Sequence, residues 1–247
     1  PDPGVVSPKE EPPVERPAAD AVGPRPADFP ARAFAVPRPE LGRLKDGTLV
    51  RVFRRKGASL AAIRALYPGA GLAAESAREA GLANLAADTL AKAGGARNSE
   101  SFSLELERLG ATIGTGVSVG ATAFSVDVPL AGFGPASGLF FDALLRPRMD
   151  GEDFGQGRDQ TLQGLRERPL EPRLVANDTG LAALYGADSP YARRLAGRLG
   201  TVSGLTPAAA RRWVRERIAP VRPVVLVAAD LPVGEVVRRL NAALAGR

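Results

Sequence analysis

The chain contains neither cysteine nor histidine in 247 residues. No disulfide and no zinc cluster of thiolates or imidazoles can therefore hold the fold, which must rest on a hydrophobic core. A chain of this length buries such a core without help. The same two absences exclude cysteine nucleophiles, Ser-His-Asp triads and zinc centres built on imidazole. No stretch of about 18 apolar residues occurs, so no apolar transmembrane helix is expected.

Residues 1–40 hold eleven of the 22 prolines and a small acidic excess, the composition of an extended, solvated tether. We therefore divide the chain into a Pro-rich flexible tether, 1–40, and a folded domain, 41–247. Lysine occurs only at Lys9, Lys45, Lys56 and Lys92, so arginine carries nearly all of the positive charge behind the net +6. Those arginines are dispersed singly and aromatic residues are few, which fits a solvated basic surface and argues against a nucleic-acid partner.

Beyond the tether, hydrophobic periods of two and of 3.6 alternate. Thr48–Arg55 and Ala58–Tyr67 alternate as strands. Glu75–Ala93 places Leu82, Leu85, Ala86 and Leu90 on one helical stripe, with Gly94 and Gly95 as a stop. Asn98 or Ser99 is placed to cap a helix ending at Gly110. Two strands follow at Ala111–Val117 and Val119–Val128, where Gly110, Gly114, Gly116 and Gly120 predict a distorted hairpin. Helices are expected over Leu130–Leu145, Gly151–Glu167, Pro172–Tyr185, Thr206–Arg217 and Pro232–Leu244, with a strand at Pro223–Ala229. Adjacent strand pairs and clustered helices predict an α+β fold, a mixed and mostly antiparallel sheet with helices packed on one face.

The segment Gly81-Leu82-Ala83-Asn84-Leu85-Ala86-Ala87-Asp88-Thr89-Leu90 resembles the zinc helix of the pitrilysin, insulinase and mitochondrial-processing-peptidase family. That family carries H-x-x-E-H there, two imidazoles one helical turn apart on one zinc and a glutamate that polarises the bound water. Ser99–Gly110, Ala111–Pro129, the Gly157–Gly164 helix, Asp188-Ser189-Pro190-Tyr191-Ala192-Arg193 through Gly197, Leu205-Thr206-Pro207 and Ile218–Asp230 resemble the family's later segments in order. By this resemblance the metal-ligand positions are Asn84, Asp88 and Gly164, and the general-base position is Ala87. None offers the family's side chain. The resemblance implies a half-subunit peptidase domain of pitrilysin type with no catalytic residue, no metal and no cofactor.

It also implies a non-catalytic role, pairing with a homologous zinc-bearing subunit or second domain to enclose a peptide-binding chamber for proteolysis. The chain is then the first of two related domains, with a peptide or unfolded polypeptide as its other partner. The tether suggests an exported, periplasmic protein. Two alternatives remain at this level: an active zinc-dependent metalloendopeptidase domain using unrecognised groups, and a stand-alone peptide-binding scaffold. The positions Asn84 and Asp88 fall about 40° apart on the helix, opposite the apolar stripe, which places both on one polar edge.

Overall fold

A computed structural model of the chain describes residues 36–245. All of the proposed tether except residues 36–40 lies outside that range. The first element is a strand the periodicity did not predict, β1 (Glu40–Arg43), too short and too exposed to carry an alternating signal. Next come β2 (Leu49–Arg54) and β3 (Leu60–Pro68), then helices α1 (Leu82–Lys92) and α2 (Ser99–Arg108). Strands β4 (Thr112–Val117) and β5 (Ala121–Pro129) form a hairpin. Helices α3 (Phe133–Leu145), α4 (Gly151–Glu167), α5 (Pro172–Tyr185), the single turn α6 (Leu199–Val202) and α7 (Pro207–Trp213) follow, α7 running on into a π-helical turn, Val214–Ile218. Strand β6 (Val224–Ala229) and helix α8 (Val233–Ala245) complete the order.

The strands form one mixed sheet in the order β1-β2-β6-β3-β5-β4. Every ladder is antiparallel except β2 against β6. The α+β class and the mostly antiparallel sheet are those expected from the sequence. Cross-strand register puts Val52, Val227, Ile63 and Val126 in one row, and Val50, Val225, Ala65 and Phe124 in the next. All eight are buried, and α1, α3 and α8 pack on this side. Tyr67 meets Phe124 edge to face at 5.7 Å between ring centroids. The opposite face carries Arg51, Leu226, Arg64 and Ser125 in register, beside Leu41, which is 70% exposed.

Two expectations are corrected here. The β4–β5 register runs unbroken from Thr112↔Asp127 to Val117↔Thr122, so the glycines do not distort the hairpin. Gly116 faces open space and Gly114 lies over Ser125 Oγ, so neither position demands a bulge. The helix expected from Glu75 begins seven residues later. Gly81 takes φ +99°, which ends the preceding 3-10 turns, and α1 starts at Leu82.

Candidate functional site

The start of α1 has no side-chain cap at Gly81, and the Glu75 carboxylate fills that role from outside the helix. It accepts the Ala83 N–H at 2.7 Å and the Gly81 N–H at 3.3 Å. Burial pushes the Glu75 carboxyl above its ordinary pKa, against those two amide bonds and the nearby Arg193 charge. Arg193 Nη1 in turn donates to the Glu75 carbonyl at 3.0 Å, and Thr201 Oγ1 donates to the Ala80 carbonyl at 2.8 Å. The beginning of α1 is thus tied to the 193–201 segment.

Further along α1, the structure brings Asn84 and Asp88 together. Asn84 Nδ2 donates to Asp88 Oδ2 at 3.0 Å, as side chains one turn apart can. Thr115 Oγ1, on β4, donates to Asp88 Oδ1 at 2.5 Å. Both carboxylate oxygens are therefore engaged, and the carboxylate staples α1 to the outermost strand. Ala87 is buried at 4% exposure. Replacing Asp88 by Ala removes both hydrogen bonds and is expected to lower unfolding stability by about 1–2 kcal/mol without unfolding the domain, as chemical denaturation followed by circular dichroism would measure.

Asp88 and Thr115 line an open cavity of about 510 Å³ with Lys92 and Ile113, bordered on the other side by Gly157, Gln160 and Thr161 of α4. Gly164 lies one turn past Gln160 and Thr161 on the same helical stripe. A Cβ there would meet nothing within 4 Å. Lys92 Nζ donates to the Asp153 carbonyl at 3.2 Å.

These residues do not fit a zinc ion. Of the three positions that the sequence resemblance assigns to ligands, one is an amide, one a carboxylate with both oxygens hydrogen-bonded, and one has no side chain. Among the described residues no three of His, Cys, Asp and Glu are grouped to hold a metal. Sequence reasoning missed Thr115, whose pairing with Asp88 spans 27 positions and leaves no local signal.

No family model matches the chain. A solved structure from Pseudomonas fluorescens, described as a peptidase M16 inactive domain, superposes with a TM-score of 0.75 at 19% identity, covering 84% of this chain and 50% of that one. Pitrilysin superposes at 0.68 with 16% identity, over 82% of this chain and 22% of its own. This chain has the M16 peptidase fold. A Mycobacterium leprae protein named an uncharacterized zinc protease is 27% identical over 172 residues, 70% of this chain. The chain spans 38% of that relative's length and half of the Pseudomonas chain.

Proposed function

We propose that this domain is a non-catalytic M16 half that pairs with a homologous zinc-bearing domain or subunit and shapes the chamber in which that partner cleaves peptides. The observation that carries the reading is the Asn84–Asp88–Thr115 network. Where the sequence resemblance expects metal ligands, it has side chains satisfied by one another, with Ala87 and Gly164 at the other expected positions offering nothing to a metal or a water. Zinc hydrolysis must then come from the partner.

Two surfaces support the pairing. Helix α5 contains no buried residue, although Leu184 is 71% exposed and Val175 and Tyr185 are exposed as well. Ion pairs from Asp178 to Arg168 and Arg194 hold the helix to this domain but bury none of its apolar side chains, so that face calls for a covering partner. The open face of the sheet, with Leu41 and Leu226, offers a second apolar area. Peptide holding fits β4, whose outer edge has no strand beside it among the described residues and whose Ile113 and Thr115 already line the cavity. The tether composition suits an exported, periplasmic location.

The test is co-expression with a homologue that carries an intact H-x-x-E-H. The two are expected to co-purify, and peptide turnover to fall at least about tenfold when this chain is omitted, a loss of about 1.4 kcal/mol of transition-state stabilisation. Leu184→Asp should abolish co-purification while leaving the melting temperature unchanged. Turnover that is the same with and without this chain overturns the reading.

A further inference from the structure

A second cavity, of about 630 Å³, opens between α5, the turn at residues 77–80 and the loop at 186–198, away from the α1–α4 cavity. Five alanines and Gly197 form its apolar walls. Its charged lining is unbalanced, with Arg193, Arg194 and Arg198 against Asp178 and Asp188.

Asp178 has little left to offer these arginines. Arg168 grips it in a fork, Nε to Oδ2 at 2.8 Å and Nη2 to Oδ1 at 2.6 Å, and Arg194 Nε reaches Oδ2 at 2.7 Å. The hydrogen bonds from Arg168 hold its carboxyl below the usual carboxylate range. Arg193 spends its Nη groups on the backbone carbonyls of Glu75 and Asp188. Arg194 keeps its Nη groups for another acceptor. Arg198 is exposed and makes no ion pair among the described residues. Three guanidiniums and two carboxylates thus line an alanine-walled hollow, and one of those carboxylates is already taken up by Arg168.

We propose that this cavity binds a carboxylate carried on a small apolar body, with Arg198 and the Nη groups of Arg194 as donors. Guanidinium forks match carboxylate geometry, and a pocket with apolar walls and a few converging polar groups suits a ligand of that shape. The carboxylate has two natural sources, the C-terminus of a peptide and an acidic side chain. The proposal does not depend on the pairing described above, because it is tested on this chain alone.

The probes are three fluorescent pentapeptides: penta-alanine with a free C-terminal carboxylate, the same peptide as its C-terminal amide, and an amide with a central aspartate. Binding to the full chain is followed by anisotropy. At least one carboxylate-bearing peptide is expected to bind about tenfold more tightly than the penta-alanine amide. Which of the two it is identifies the source, and affinity should fall as salt is raised. Arg198→Ala should weaken that binding about fivefold with an unchanged melting temperature, and Arg198→Lys should restore it only in part, since a lysine supplies charge without the fork. Equal binding of all three peptides overturns the proposal. So does full affinity in a folded Arg198→Ala variant. If that variant is destabilised, the three-peptide comparison on the unmodified chain still decides.

Discussion

Replacing Gly197 by alanine is expected to destabilise the domain by about 3 kcal/mol. Gly197 adopts φ +74°, where a side chain is strained, and a Cβ there would lie 2.2 Å from the Ala80 carbonyl oxygen and 2.7 Å from its carbon. Both neighbours are backbone and cannot swing aside. The opposing Gly81 is confined less tightly, with the Ala196 carbonyl oxygen 2.9 Å from its own Cβ position. Two backbone segments therefore touch where the 193–201 segment crosses the start of α1, and only glycine permits the approach. Moving them apart would also strain the Arg193–Glu75 and Thr201–Ala80 hydrogen bonds, which seat the helix that carries Asn84 and Asp88. Gly116→Ala is the control, since that position has open space and no positive φ, and a change within about 0.5 kcal/mol is expected. Urea unfolding of both variants decides the matter. Equal midpoints would mean that the crossing has room to spare.

Residues whose partners lie close in sequence were legible, and those whose partners lie far away were not. Leu82, Leu85, Ala86 and Leu90 are all buried along α1, because a 3.6-residue period reports directly on which face meets the core. Asn98 caps α2 by accepting the Ser101 N–H at 3.0 Å, and Gly110 ends the following turn at φ +60°, both local events with local signatures. The parallel pairing of Arg51 with Leu226 joins positions 175 apart, and nothing in either strand announces the other. Glu75 looked like a helical residue because its neighbours have helical spacing. Its carboxylate instead caps a helix that starts seven residues later, a choice made by the positive φ of Gly81 and by burial. The Asn84–Asp88–Thr115 network was legible in its helical residues and hidden in its strand residue. Asn84 and Asp88 sit one turn apart by arithmetic, whereas Thr115 arrives only through the β4–β5 hairpin. The arginine-lined cavity had no sequence signature, since dispersed arginines converge there only once the 186–198 loop folds under α5.

A triple variant, Asn84→His, Asp88→His and Gly164→Glu, is expected to bind one zinc ion per chain with an affinity on the order of nanomolar. The unmodified chain, dialysed in parallel, should retain less than about a tenth as much. Positions 84 and 88 already touch through their present side chains, so imidazoles there share one face of α1. Position 164 follows Gln160 and Thr161 by one turn along α4, and its side-chain direction is empty, so a glutamate fits without displacing anything. The cost is the loss of the Asp88–Thr115 bond, and Thr115 can turn its hydroxyl to the water of the cavity it lines. Ala87 stays unchanged in this variant, leaving no carboxylate to accept the proton of a metal-bound water. The zinc-loaded variant should therefore cleave no peptide above background, which separates metal binding from hydrolysis. Metal analysis after dialysis, with circular dichroism to show that the fold persists, reads out both halves of the expectation. A folded triple variant that holds no zinc would show that α4 does not aim position 164 at the α1 pair. The correspondence of Asn84, Asp88 and Gly164 with the zinc-ligand positions would then fail, even though the fold itself stood.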